Sequence, residues 1–138
     1  MYAGAVTGGI WKTVDGGLNW SLLTDPSANI TVGPANLYPG LTVPAQAGNI
    51  IELHGTGFGP TNPTTNFGET FSGAPPTVNT VTCTIGGVPA TVQFAGLVAP
   101  GEYQLNIVVP PGLPPGDNLL VLTVGGVTTQ ANAYLAVQ

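Results

Sequence analysis

Glycine and proline interrupt this chain so often that they decide what it can fold into. The 138 residues include 21 Gly and 14 Pro, scattered throughout. Both residue types disfavour helix interiors, so the windows in which a helix would form are broken. What remains are short apolar or alternating runs between turn residues, a pattern typical of an all-β sandwich or barrel.

These runs predict ten strands and several turns. The strands are expected at residues 2–6, 9–13, 19–23, 41–43, 50–54, 78–85, 90–94, 103–109, 118–124 and 130–137. Gly86-Gly87 and Gly125-Gly126 each lie between β-branched runs, which is typical of a tight hairpin turn. The segment 110–117 holds four prolines and is expected to be a rigid loop, because proline cannot donate to a central ladder.

Alternation of apolar and polar residues indicates which faces are buried. In residues 103–109 the odd positions are apolar, while Gln104 and Asn106 are polar, which predicts one core-facing side. Residues 119–124 are almost continuously apolar. We expect that strand to be covered on both faces, by its own core and by a partner or a packed appendage.

Charged residues are scarce, and this excludes several classes of function. One Lys and six Asp or Glu make up 5% of the chain, with a net charge of −5, against about 25% charged residues in an average soluble domain. Nucleic acid and anionic membrane surfaces both need a basic patch, which is lacking here. No apolar run is long enough for a membrane span. A surface with so few charges repels its own copies weakly, which favours self-association.

Catalytic, metal and cofactor sites are not predicted. Cys83 lies in an apparent strand and is expected to be a small buried residue. His54 is the single histidine, and a polar residue at a strand end is favoured over a ligand or base. The carboxylates are scattered, so neither a glycosidase pair nor a dense calcium site is expected, although Glu69 and Asp117 leave a weak calcium site open. The glycine run 55–59 lacks a following lysine and helix, so it is expected to be a turn.

Aromatic residues leave a carbohydrate-binding surface open as a minority hypothesis. A sugar platform needs exposed rings, and the candidates are Tyr2, Trp11, Trp20, Phe67 and Phe71. The two tryptophans are expected instead to pack within a hairpin or against a neighbour.

A change of composition near residues 33–47 predicts a linker or boundary. Glycine and proline cluster there, and we place the boundary at residues 33–36. The chain then divides into an N-terminal hairpin with its linker, residues 1–35, and a larger β domain, residues 36–138.

The larger segment resembles a known module. The resemblance rests on Leu37-Tyr38-Pro39-Gly40, on residues 51–63 with His-Gly-Thr-Gly-Phe-Gly-Pro, on Thr-Ile-Gly-Gly-Val-Pro-Ala at 84–90, and on Thr-Val-Gly-Gly-Val at 123–127. It is similar to the IPT/TIG-like C-terminal module of secreted acidobacterial proteins. The resemblance implies an immunoglobulin-like β-sandwich with no enzymatic activity, used as a spacer, stalk or binding domain.

The first segment resembles the Asp-box hairpin of sialidase-like and sortilin-like propellers. The motif would consist of Thr13, Asp15, Gly16, Gly17 and Trp20. In that family the motif is structural, and it repeats once per blade. A single hairpin cannot make a propeller, and the absence of arginine argues against sialidase chemistry.

An isolated hairpin is marginally stable in water, so its apolar side chains need cover. The residues concerned include the expected docking set Tyr2, Val6, Ile10, Trp11, Trp20, Leu22 and Leu23. Three sources of cover are open, namely its own domain, a larger propeller upstream, or the next copy, and the last of these would produce a filament.

The leading hypothesis is a non-catalytic, self-associating extracellular structural subunit. The alternative is a spacer or adhesive, carbohydrate-binding module of a larger secreted protein. Residues 1–6 show no signal peptide, so we expect a mature form, a fragment or an excised module located outside the cell or at its surface.

Overall fold

The computed structural model describes residues 2–4, 10–12, 21–22, 24–25, 30–66, 72–129 and 131–138, with side chains from residue 32 onward. These ranges contain strands β1 (Tyr2–Gly4), β2 (Ile10–Lys12), β3 (Ser21–Leu22), β4 (Thr24–Asp25), β5 (Ile30–Val32), β6 (Thr42–Val43), β7 (Ile50–Gly55), β8 (Val81–Ile85), β9 (Val88–Ala99), β10 (Glu102–Val108), β11 (Gly116–Val124), β12 (Val127–Thr128) and β13 (Tyr134–Val137). No helix occurs in the described ranges. The predicted all-β class is confirmed.

Seven of the strands form one antiparallel, curled sheet. Its order is β12-β11-β8-β9-β10-β7, and β13 also pairs with β11. The long strand β9 changes partner along its length. Its residues 88–90 pair with β8, and its residues 91–99 pair with β10. One strand therefore belongs to both halves of the sheet. The immunoglobulin-like sandwich is a finer assignment than this pairing pattern, and it stays a prediction.

The core lies between the inward faces of β7, β8, β10, β11 and β13. Four side chains are fully buried, namely Ile85, Leu105, Ile107 and Val109. Three of these are odd-numbered residues of the 103–109 run, which confirms the predicted core-facing side. Removing such aliphatic side chains from water is the main stabilising contribution in a domain of this kind.

Strand β11 alternates more than its apolar sequence suggests. Leu120 and Leu122 are buried in the core, whereas Leu119 and Val121 are half-buried on the other face. We expected this second face to be covered as well, but the described part of the chain leaves it partly exposed.

Both two-glycine turns have the predicted hairpin geometry. Gly86 and Gly87 have φ values of 57° and 79°, and they connect the paired residues Ile85 and Val88. Gly125 and Gly126, with φ values of 54° and 87°, connect β11 to β12 in the same way. Two successive positive φ angles define a type I′ turn, which matches the twist of the flanking strands.

The predicted proline-rich loop connects β10 to β11. It is held by Asn118, which is 4% exposed. The side-chain amide nitrogen Nδ2 of Asn118 donates to the carbonyl oxygens of Pro114 and Gly116, at 2.9 and 3.0 Å. One buried amide thus fixes the loop against the start of β11.

The N-terminal strands form two small sheets. In the first, β2 is central and pairs antiparallel with β1 and β3, so that Trp11 lies opposite both Ala3 and Leu22. Residues 13–20, which lie between β2 and β3, are outside the described part of the chain. In the second sheet, β5 pairs antiparallel with β4 and parallel with β6. Neither β4 nor β5 was expected from the sequence.

The predicted linker region is a hydrogen-bonded turn. Buried Thr42 donates from Oγ1 to the carbonyl oxygen of Pro34 at 2.7 Å, and it accepts from the Tyr38 amide at 3.1 Å. This turn brings β6 back beside β5, so strands on either side of residue 35 share one small sheet. The division into residues 1–35 and 36–138 stays a prediction.

Candidate functional site

The most distinctive surface is the second edge of β7. One edge of β7 pairs with β10 along all six residues, from Ile50 opposite Val108 to Gly55 opposite Tyr103. No strand in the described ranges pairs with the other edge, where β7 ends the sheet. Strand β4 lies near β7 without pairing with it. We refer to this second edge, Ile50–Gly55, as the β7 edge.

Backbone alternation tells which groups face the β7 edge. The Val109 amide donates to the carbonyl oxygen of Asn49 at 2.9 Å, so Asn49 turns its carbonyl toward the β10 side. Because neighbouring residues of an antiparallel strand turn to opposite sides, Ile50, Glu52 and His54 direct their N–H and C=O groups to the β7 edge. The edge therefore offers a row of backbone donors and acceptors.

The solvent-facing side of β7 and β10 is polar. Glu52 lies opposite Asn106, and His54 lies opposite Gln104. The Gln104 Nε2 donates to Asn106 Oδ1 at 2.9 Å. All four side chains are half-buried, so this face is a hydrogen-bonding surface beside the β7 edge.

His54 is paired with a carboxylate at the end of β7. Its Nδ1 lies 2.8 Å from Glu102 Oε1, and the two side chains are 19% and 23% exposed. The atoms are close but lack the alignment of a hydrogen bond, so the contact is an ion pair when the imidazole is protonated. The expected polar strand-end position of His54 is confirmed, whereas its partner Glu102 was not identified from the sequence.

The glycine run after β7 is a tightly packed turn. Phe58 is 6% exposed, and its ring lies where a Cβ on Gly55 would come within 2.6 Å of it. The ring also packs against that of Tyr103, with centroids 5.5 Å apart. The Tyr103 hydroxyl donates to the carbonyl oxygen of Gly59, and Asn79 Nδ2 donates to that of Phe58 at 3.3 Å. This turn positions the end of the β7 edge.

Cys83 is a buried core residue, as expected. It is 3% exposed on β8, and burial raises the pKa of its thiol from 9.0 to about 12. The neutral thiol is favoured because the charged thiolate would lose its hydration. Such a thiol is a poor nucleophile at neutral pH.

Most of the predicted docking and Asp-box residues are beyond what the structure describes. Tyr2, Ile10, Trp11 and Leu22 lie on strands β1–β3, for which only the backbone is described. The others lie outside the described residues, namely Val6, Thr13, Asp15, Gly16, Gly17, Trp20 and Leu23. The rings of the suggested sugar platform, those of Tyr2, Trp11, Trp20, Phe67 and Phe71, are likewise not described.

Metal-binding clusters are absent from the described part of the chain. No group of three His, Cys, Asp or Glu side chains converges there. Of the two residues considered for a calcium site, Asp117 is exposed at the start of β11 and Glu69 lies outside the described residues. No helix among the described residues is long and apolar enough to cross a membrane.

An open groove lies at the opposite end of β7 from His54. Its volume is about 440 Å³. Its walls are Ala47 and Gly48, Pro89 and Thr91, and residues 108–111. The lining is mainly apolar and rich in proline.

Comparison with known proteins gives no relative for this chain. No family model matches it, and neither the curated proteins nor the solved structures contain a match. The IPT/TIG-like and Asp-box resemblances therefore stay predictions.

Proposed function

We propose that this protein is a non-catalytic structural subunit that associates with its own copies outside the cell. The observation that carries the proposal is the β7 edge, with which none of the described strands pairs. A strand or hairpin of one copy is added to the β7 edge of the next, and repetition of that contact builds a filament.

An unpaired edge of six residues is a template for strand addition. Proteins usually protect such edges with proline, lysine or a bulge. Ile50–Gly55 contains neither proline nor lysine, and its pairing with β10 shows no register shift. Glu52 at its centre is its single fully charged side chain. The edge is thus weakly protected against an added strand.

The N-terminal sheet β1–β3 is the proposed donor. Its strands are only two or three residues long, and such a small sheet is marginally stable alone. Its docking residues would gain cover from a neighbour. A contact between the N-terminal segment of one copy and the β7 edge of another joins two different surfaces, so it propagates unless the rotation closes a ring.

The position of β4 near β7 is a second observation that favours assembly at β7. It brings the N-terminal part of a chain close to β7. A segment that lies near a strand of its own chain without pairing with it can exchange for the equivalent segment of another copy, as in domain swapping.

Association is tested with a variant that blocks the β7 edge. In Glu52→Pro the amide that faces the open edge is removed, while the hydrogen bonds to β10 come from the neighbouring residues and are kept. The matched control is Glu52→Thr, which loses the same charge and keeps the amide. Light scattering over a concentration series and negative-stain microscopy measure assembly.

We expect the wild type and Glu52→Thr to form multimers or fibres, and Glu52→Pro to remain monomeric with a similar circular dichroism spectrum. A full-length wild-type protein that is strictly monomeric at high concentration contradicts the proposal. Fibres formed by Glu52→Pro would show that the β7 edge is not the acceptor.

The alternative function is a spacer or an adhesive, carbohydrate-binding module of a larger secreted protein. The open groove next to residues 108–111 is the observation that favours a ligand. A glycan array with no binding by the purified chain would remove the carbohydrate-binding form of this alternative.

A further inference from the structure

Glu52 lies at the centre of the β7 edge and is its single fully charged residue. We propose that Lys12 of one copy forms an ion pair with Glu52 of the next copy, and that this pair selects head-to-tail contacts. The inference rests on the proposed function, because it identifies the charged contact within the same assembly surface.

The distribution of charge makes Lys12 the natural partner. Lys12 is the single Lys or Arg of the chain. Residues 1–24 carry Lys12 and Asp15 and are neutral overall, whereas residues 25–138 carry five carboxylates and no Lys or Arg. Contacts between two β domains therefore bring like charges together. Contacts between an N-terminal segment and a β domain do not, so they are favoured.

Glu52 is the carboxylate best placed to receive that lysine. Its side chain is half-buried on the edge strand, and the described residues give it no cationic partner. Glu102 is already engaged by His54 at 2.8 Å. Asp117 lies on β11, which does not pair with β7. Of the three carboxylates whose side chains are described, Glu52 alone lies on the open edge without an opposite charge.

The strand order of the donor is compatible with this pair. Strand β2 is central in its sheet, and Lys12 lies opposite Tyr2 on β1 and Ser21 on β3. Addition of β1 or β3 to the β7 edge would leave β2 two strand spacings away, or about 10 Å. When the added strand places both residues on the same face, a lysine and a glutamate span such a distance, because both side chains are long.

Charge exchange tests the pair. Lys12→Glu and Glu52→Lys each replace an attraction by a repulsion, and each is expected to raise the dissociation constant of self-association about tenfold in low salt. The double variant Lys12→Glu/Glu52→Lys restores the attraction and is expected to return to within about threefold of the wild type. Analytical ultracentrifugation measures the constant for each protein.

The matched control is Lys12→Glu/Asp117→Lys. It has the same net charge as the exchanged pair, but its new lysine is on β11. We expect it to remain as weak as Lys12→Glu alone. In 1 M salt the differences among all variants should nearly vanish, because the Debye length falls to about 3 Å.

The possible outcomes separate this inference from the proposed function. If Glu52→Pro abolishes assembly but the exchanged pair does not recover, strand addition at the β7 edge stands and the Lys12–Glu52 pair is wrong. Equal recovery by the Asp117→Lys control also overturns the pair, since net charge alone would then explain the effect. A wild-type protein that never associates overturns both. Effects of Lys12→Glu on monomer stability alone would place its contact within one copy and overturn the inference.

Discussion

The hydroxyl of Tyr103 on β10 donates a hydrogen bond to the carbonyl oxygen of Gly59, in the turn that follows β7. The same ring packs against Phe58. Tyr103 thus joins the first residues of β10 to the glycine turn by a polar and an apolar contact at once.

Removal of this hydroxyl is predicted to weaken the turn without unfolding the protein. Tyr103→Phe keeps the ring contact with Phe58 and loses the hydrogen bond to Gly59. Because Gly59 is exposed, water can replace the donor, and we expect a loss of about 1 kcal/mol in the free energy of unfolding. Urea denaturation measures it. Tyr134→Phe is the control, since the described residues give the Tyr134 hydroxyl no partner, and an equal loss there would contradict the prediction.

Gly96 on β9 is predicted to tolerate no side chain. A Cβ at this buried position would lie 2.5 Å from the Phe94 ring and 2.8 Å from the carbonyl oxygen of Pro75. The ring can move, but the backbone carbonyl cannot, because Pro75 accepts a hydrogen bond from the Leu97 amide at 3.0 Å. We expect Gly96→Ala to cost about 2 kcal/mol in the free energy of unfolding.

The control for that substitution is Gly33→Ala. Gly33 is also buried, but a Cβ there would have its nearest neighbour at 3.6 Å, which is an ordinary contact. Thermal denaturation should show a clear loss of stability for Gly96→Ala and little change for Gly33→Ala. Similar melting temperatures for the two variants would show that β9 adjusts more easily than its contacts indicate.

The buried thiol of Cys83 predicts a pH dependence of stability at alkaline pH. Its pKa is about 12 in the folded protein, against 9.0 when exposed. Between these values the unfolded chain releases a proton that the folded protein retains, so the free energy of unfolding falls as pH rises from 9 toward 12, by at most about 1.4 kcal/mol per pH unit. Well below pH 9 the thiol is protonated in both states and contributes no pH dependence.

Denaturation of the wild type and of Cys83→Ala at a series of alkaline pH values isolates this effect, because the tyrosines titrate in both proteins. We expect the stability difference between them to shrink as pH rises above 9. A constant difference would mean that the thiol is not protected from deprotonation in the folded protein.

The stability of the protein is predicted to depend on the hydrogen bonds that the side-chain amide of Asn118 donates. Its Nδ2 donates to the carbonyl oxygens of Pro114 and Gly116. Asn118→Asp has nearly the same shape, but an ionised carboxylate would face two acceptors in a buried position. We expect a loss of at least about 2 kcal/mol at pH 7 and a smaller loss at pH 4, where more of the carboxyl is protonated and can donate. Denaturation at both pH values measures it, and equal losses would contradict the prediction.

The strands that the sequence predicts well are those whose signals are local. The alternation of β10 and the two-glycine turns depend on neighbouring residues, and the structure confirms them. The strands β4 and β5 were missed because they are only two and three residues long, too short to show alternation, and because β5 also pairs in parallel with β6 across the intervening turn. The predicted β9, residues 90–94, stopped short of Gly96, since a glycine usually weakens a strand. The structure continues β9 to Ala99, and Phe94 covers that glycine.

The candidate site was harder to predict from the sequence. His54 was noticed as the single histidine, but its contact with Glu102 joins two strands that are far apart in the chain. The β7 edge was also not predicted, because an open edge is one with which none of the described strands pairs. No pattern within Ile50–Gly55 reports that relationship. It emerges only from the complete pairing order of the sheet.

The contact between Ala45 and β13 has a mechanical consequence. Ala45 lies parallel to Val137, its amide donates to the carbonyl oxygen of Ala136 at 2.8 Å, and its carbonyl accepts from the Gln138 amide at 2.9 Å. A tensile force applied at Pro44 and at Gln138 would slide these parallel segments along each other. Both hydrogen bonds would then be loaded together in shear, rather than being peeled apart one after the other. A subunit within a filament under tension would therefore resist extension at the two hydrogen bonds of Ala45 before its core is exposed.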